Sequence, residues 1–133
     1  MSSFHLRVVT YDRLFFEGEV EQLVVRTSQG DMAVLKNHIK LVTPLGIGRL
    51  RLWTGGQEKE AALAGGFIKV DKEETVIVAL SCEWAQEIDI DRAKAARERA
   101  EQMLKEQHLD QQSQQIAEMK LKRALNRIDI GGQ

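Results

Sequence analysis

Between Phe67 and Ile130 the chain contains neither glycine nor proline, while residues 1–66 hold eight of its ten glycines and its only proline. These two residue types are the strongest local punctuators of a polypeptide. The early part must therefore be built from short segments that turn often, and the late part is free to run on. From Asp89 onward the residues are mostly Ala, Arg, Glu, Gln, Lys and Leu, all good helix formers. The chain thus reads as two parts, residues 1–84 and residues 85–133.

The first part reads as strands. Phe4, Leu6 and Val8 alternate with His5, Arg7 and Val9, the period of a half-buried strand. Val20 to Arg26 is a β-branched run, and Met32 to Leu35 follows the turn signal Gln29-Gly30-Asp31. Leu50 and Leu52 alternate with Arg49 and Arg51 before Gly55-Gly56, which reads as a hairpin turn. Ala61 to Ala64 ends at the pair Gly65-Gly66, and Phe67 to Val70 follows. Asp71 to Glu74 is a polar turn before Thr75 to Leu80. Many short strands with regular turns argue for an antiparallel sandwich or barrel.

The second part reads as two helices, roughly 89–106 and 112–128. Ala93, Ala96, Ala100, Met103 and Leu104 fall on one helical face, and Ala117, Leu121, Ala124, Leu125 and Ile128 form a second stripe. Asp89 suits the N-cap of the first helix, with Ile88 and Ala93 placed as a hydrophobic staple. Asp110 suits the second cap. Gln107 to Gln115 is polar apart from Leu109, yet nothing there forbids helix. Without a break, residues 89–128 would form one helix about 60 Å long. An alanine stripe buries little area, at about 0.8 kcal/mol per CH2. Such a hairpin is either weakly held and able to open, or permanently closed with its helices packed tightly. The fold class expected is α+β: an N-terminal antiparallel β-sandwich followed by a C-terminal two-helix antiparallel hairpin.

Composition excludes several functions. Residues 1–88 carry 10 basic and 12 acidic side chains and residues 89–133 carry 9 and 8, so neither part has the basic excess of a nucleic-acid binder. Cys82 is the only cysteine, which rules out an internal disulfide and fits a reducing compartment. It ends a β-like run and reads as a small buried residue. Met1 to Thr10 is too polar for a signal peptide. No stretch approaches the roughly 20 apolar residues of a membrane span, so membrane association would go through a partner. No Gly-x-x-x-x-Gly-Lys-Ser/Thr loop is present. His5, His38 and His108 are scattered, and no Cys/His spacing suggests a metal. Trp53 and Trp84 lack the basic–aromatic alternation of a base-stacking surface and read as packing or interface residues.

The order of these features resembles one family, the epsilon subunit of bacterial rotary ATP synthases. Val8-Val9-Thr10 with Asp12 is similar to its first strand and turn. Gly30-Asp31-Met32-Ala33-Val34-Leu35, then His38 and Leu41-Val42-Thr43-Pro44-Leu45, resembles its most recognisable loop. Gly65-Gly66-Phe67 resembles a family strand start. Ile88-Asp89-Ile90-Asp91-Arg92-Ala93 resembles the Ile/Leu-Asp-x-x-Arg-Ala motif of bacillus-type members. Ala95-Ala96-Arg97-Glu98-Arg99-Ala100 and Lys122-Arg123-Ala124-Leu125-Asn126-Arg127 carry the likeness to the C-terminus. One departure is Lys36-Asn37 where the family has Pro-Gly before the loop histidine. Asparagine tolerates the left-handed backbone that glycine would adopt there.

The resemblance implies a non-catalytic subunit with no cofactor requirement, on the cytoplasmic face of the cell membrane as part of the synthase. Its sandwich would bind the gamma subunit and the ring of c subunits, with Asp31 and His38 at the ring contact. Its hairpin, extended, would reach the alpha and beta catalytic subunits and block ATP hydrolysis. Folded, it would release that block, and in bacillus-type relatives it binds ATP as a regulatory ligand. The residues matching that nucleotide pattern are Glu83, Ile88, Asp89, Arg92, Arg99, Arg123 and Arg127. Arginine suits phosphate through paired N–H donors. Glu83 and Asp89 suit an adenine amino group or ribose hydroxyls. Each residue also has a plain structural reading: Asp89 as a cap, Arg92 and Arg99 as partners of Asp89, Glu98 or Glu101, and Arg123 and Arg127 as partners of Glu118 or Asp129. From another functional class, a free-standing ATP-sensing adaptor would share the arginines and need no rotor partner. A hydrolase lacks any nucleophile–base or metal constellation.

Overall fold

The computed structural model spans residues 1–133 and describes residues 2–106 and 109–132. Met1, Gln107, His108 and Gln133 lie outside the described residues, and with them part of the expected interhelical turn. The chain divides into two compact units, Met1–Trp84 and Ala85–Gln133.

The first unit is a sandwich of eight strands: β1 (Phe4–Val9), β2 (Leu14–Val20), β3 (Gln22–Thr27), β4 (Gly30–Val34), β5 (Leu41–Pro44), β6 (Ile47–Thr54), β7 (Gln57–Val70) and β8 (Thr75–Trp84). Their order is β2-β1-β8-β7-β6-β3-β4, with β5 added against β7. Every pair is antiparallel except β1 with β8, which run parallel through Leu6↔Thr75 to Val9↔Val78. The inward residues of the alternating strands meet in one aliphatic core, with Leu6, Leu23, Leu50, Leu52, Ile68 and Ile77 all almost fully buried. Cys82 is buried in it, and Trp84 stacks on Phe15 with ring centroids 4.2 Å apart. Trp53 lies on the surface beneath the Arg51 guanidinium, 5.1 Å from its centroid.

Two details depart from the reading of the sequence. The runs 61–64 and 67–70 are not separate strands but parts of the single strand β7, which pairs with β6 over its first half and with β5 over its second. Gly65 and Gly66 bend that strand without ending it, at φ of 77° and 106°. A Cβ on Gly66 would run into the Val78 carbonyl, so the pair serves backbone approach to β8 rather than a turn. Strand β2 has no counterpart in the periodicity. A bulge between Val8 and Val9 pairs Val8 with Phe16 and Val9 with Leu14, and the skipped Phe15 breaks the two-residue alternation. The Gly55-Gly56 turn is as expected, both residues at positive φ.

In the second unit a 3-10 turn at Ala85–Glu87 leads into α1 (Ile90–Leu104), and α2 (Gln111–Gly131) follows. The two helices are separate and pack on each other. The second runs past 128 and takes in Gly131.

Candidate functional site: a cationic groove in the helical hairpin

Both helices begin where local chemistry dictates. The Asp89 carboxylate accepts a hydrogen bond from the Arg92 backbone N–H at 3.1 Å, and Asp110 accepts one from Ser113 N–H at 2.7 Å. The Ser113 N–H holds the Asp110 carboxyl below its usual pKa. The packed faces are small. Ala93 and Ala100 on α1 and Ala117 and Ala124 on α2 are buried, each pair seven residues apart. Gly131 continues the second series by seven, and a Cβ there would come within 2.8 Å of Ile88 Cβ and Ile90 Cδ1. That contact closes the base of an antiparallel hairpin. Leu125, expected on the stripe, is 47% exposed, so the seam turns through Ala124 and Ile130 instead.

Beside this seam lies an open groove of about 300 Å³. Ala96, Ala100 and Ala124 line its floor with Met103, and its cations are Arg99, Lys120, Arg123 and Arg127. Among the described residues no carboxylate lines it. Three of the arginines singled out in the sequence therefore share one site. Ile88, Asp89 and Arg92 do not line it. Ile88 is buried at the hairpin base, and Asp89 caps α1. Glu83 belongs to β8 in the sandwich unit. Glu101 pairs with Arg97 at 3.3 Å rather than with Arg99, and Glu118 accepts from the Gln114 side chain. Among the described residues Arg99, Lys120 and Arg123 have no ion-pair partner. The residue the sequence reading missed is Lys120. It stands three before Arg123 and seven before Arg127, a spacing that shares their face.

The sandwich offers a different kind of surface. Registered pairs across five strands place Pro44, Phe67, Val78, Val9 and Leu14 in one row on the outer face. Phe67 is 44% and Leu14 54% exposed, and Leu80, over Gly65, is 71% exposed. Phe67, Leu14 and Leu80, with the half-buried Val9 and Val78 between them, make an apolar patch of the kind that partner proteins cover. At the loop after β4, Asn37 adopts φ 68°, the left-handed conformation expected where a glycine stands in the family. His38 Nδ1 lies 2.8 Å from the Ile39 carbonyl, and Leu35 and Ile39 project into solvent. Asp31, bonded to Arg26 Nε at 2.7 Å, lies at the other end of β4. The structure does not bring Asp31 and His38 together.

The sandwich thus carries an exposed apolar row, and the hairpin a groove lined by four cations. Among the described residues no group of three His, Cys, Asp or Glu side chains could hold a metal, and no helix is long and apolar enough to cross a membrane. Comparison with known proteins is specific. Residues 3–85 match the family "ATP synthase, Delta/Epsilon chain, beta-sandwich domain" and residues 86–132 match "ATP synthase, Delta/Epsilon chain, long alpha-helix domain". The ATP synthase epsilon chain of Caldanaerobacter subterraneus subsp. tengcongensis is 46% identical over 96% of this chain and 93% of its own. That of Halalkalibacterium halodurans is 38% identical over 99% of both. A chain in the cryo-EM structure of Euglena gracilis mitochondrial ATP synthase (OSCP/F1/c-ring, rotational state 1) superposes with a TM-score of 0.82 at 24% identity, covering 95% of this chain and 79% of that one. The chain belongs to the ATP synthase delta/epsilon chain family.

Proposed function

We propose that the chain is a non-catalytic central-stalk subunit of a proton-translocating ATP synthase, joining the gamma subunit to the c ring and restraining ATP hydrolysis through its helical hairpin. The observation that carries this reading is the union, in one family member, of an exposed apolar row on the sandwich with an alanine-seamed, cation-lined hairpin. The apolar row suits a permanent partner, the gamma subunit, because burying it stabilises the complex. The loop at His38 faces the c ring, and its Lys36 and Lys40 favour an acidic or polar counterpart. The complex works on the cytoplasmic face of the membrane, and this chain reaches the membrane only through its partners.

The hairpin is the regulatory part. Beyond the isoleucines at its base, Ile88 and Ile130, the buried seam is alanine, so opening that part exposes little apolar area. Extended, its cationic faces reach the alpha and beta catalytic subunits and oppose hydrolysis. Folded, they converge on the groove, where the phosphates of ATP offset their mutual repulsion. ATP thereby favours the folded state by mass action. A free-standing adaptor would use the groove but leave the apolar row without purpose.

The test is reconstitution of the catalytic complex with the full chain and with a chain truncated after Glu87. Truncation leaves assembly intact and raises latent ATPase activity. Unchanged hydrolysis would show that the helices are not the principal brake.

A further inference from the structure

We propose that His5 is a proton-operated latch at one end of the sandwich: charged, it holds Glu19 at the β1–β2 edge, and neutral, it releases Glu19 to the lysines of the loop after β4 and of the β7–β8 turn. His5 and Glu19 stand opposite each other in the β1–β2 register. The imidazole lies between two carboxylates of β2, with Nε2 2.9 Å from Glu17 and Nδ1 3.2 Å from Glu19. Both ring nitrogens therefore face acceptors. Only the imidazolium has an N–H for each of them; the neutral ring turns a lone pair toward one carboxylate. The contact to Glu19 is the longer of the two, and its side chain is 61% exposed against 44% for Glu17. Glu19 is thus the carboxylate that is let go.

Among the described residues it is Glu19, not Glu17, that shares with His5 the wall of a cavity of about 420 Å³. The loop after β4 contributes Lys36, His38 and Lys40 to that wall, and the β7–β8 turn contributes Asp71, Lys72, Glu73 and Glu74. Several of these charges are already held. Arg7, the next outward residue of β1, engages Glu74 at 3.3 Å, and Lys40 lies 3.8 Å from Asp71. His38 is tied through Nδ1 to the Ile39 carbonyl. Among the described residues Lys36 and Lys72 have no ion-pair partner, so they are the cations open to Glu19. Three lysines and four carboxylates line the cavity, and a charged His5 evens the two signs. Loss of its proton leaves one carboxylate in excess, and Coulomb attraction draws Glu19 toward the open lysines. Hydrogen bonding to Glu17, then to Glu19, raises the His5 pKa above the ordinary 6.5, which moves this change toward neutral pH. Rising pH therefore draws the loop and the turn toward the β1–β2 edge.

The experiment is an NMR titration of the full chain from about pH 6 to about pH 8.5, for wild type, His5→Gln, Glu19→Gln and His38→Gln. His5 and Glu19 lie at the surface, so the variants keep the fold, and each spectrum verifies it. The histidine rings report their own pKa values, and the backbone amides of Lys36, Asn37, Lys40 and Lys72 report the loop and the turn. In the wild type these amides should shift with the inflection of the His5 ring. His5→Gln should abolish that inflection, and His38→Gln should leave it in place. Glu19→Gln should abolish it as well, while lowering the His5 pKa toward 6.5. Amides that follow the His38 ring, and lose their inflection only in His38→Gln, would overturn the proposal. So would amides that do not shift over this range. An inflection at the His5 pKa that survives in Glu19→Gln would also overturn it, because the ring would then act on the loop without Glu19.

Discussion

Gly131 sits against Ile88 so closely that a single methyl group at 131 would come within 2.8 Å of the Ile88 Cβ. A residue at the end of the second helix thus meets the residue that precedes the first. This contact closes the hairpin on which the groove depends. Gly131→Val is expected to lower hairpin stability by about 1–3 kcal/mol, the usual cost of overpacking. Hydrogen exchange of the amides in α1 and α2 checks this. Protection equal to wild type would mean that the base of the hairpin is not held by this contact.

The bend in β7 makes the sharpest stability prediction. Gly66 has φ of 106°, and its missing Cβ is what lets the Val78 carbonyl approach. Gly66→Ala combines a strained backbone with a backbone clash. The expected loss is about 3 kcal/mol or more, read from denaturant unfolding. Gly55→Ala, in open space at the β6–β7 turn, should cost clearly less.

His5 on β1 lies between two carboxylates of β2, 2.9 Å from Glu17 and 3.2 Å from Glu19. Hydrogen bonding to Glu17, then to Glu19, raises its pKa above the ordinary 6.5. The folded state therefore holds the proton more tightly than the unfolded state. The stability this contributes is fully present below 6.5 and is lost as pH rises through the folded pKa. In thermal melts from pH 6 to about pH 8, wild type should lose more stability than His5→Gln. Parallel curves would remove the pair from the account.

Docking through the apolar row is tested at Phe67. It is 44% exposed and faces Val78 and Pro44 in register, so Phe67→Asp should leave the sandwich folded. Affinity for the gamma subunit should fall by at least about tenfold, as for a central interface aromatic. Undiminished binding would move the interface elsewhere on the sandwich.

Much of this architecture is legible in the sequence, because it follows from local rules. Asp89 and Asp110 cap their helices as acidic residues before helix formers should. The alternation of Leu6 and Val8 with Arg7 and Val9 places the inward face of β1 correctly. The exceptions come from long-range contacts. Phe15 is skipped by a bulge and recruited under Trp84, and no periodicity announces that. Gly65 and Gly66 look like a turn, and only the approach of β8 shows why they bend a continuous strand. In the groove, Arg99, Arg123 and Arg127 were recognisable from the family pattern. Lys120 was missed, although it shares a helical face with Arg123 and Arg127, because a single lysine among helix formers carries no signal of its own.

The central claim, that the hairpin groove receives a nucleotide, is tested most directly by calorimetric titration of ATP into the full chain beside Arg99→Ala/Arg123→Ala. Both residues line the groove, one from each helix. The account predicts saturable one-to-one binding in the wild type and its loss in the double variant. Equal binding in the two proteins, or none in the wild type, would contradict it.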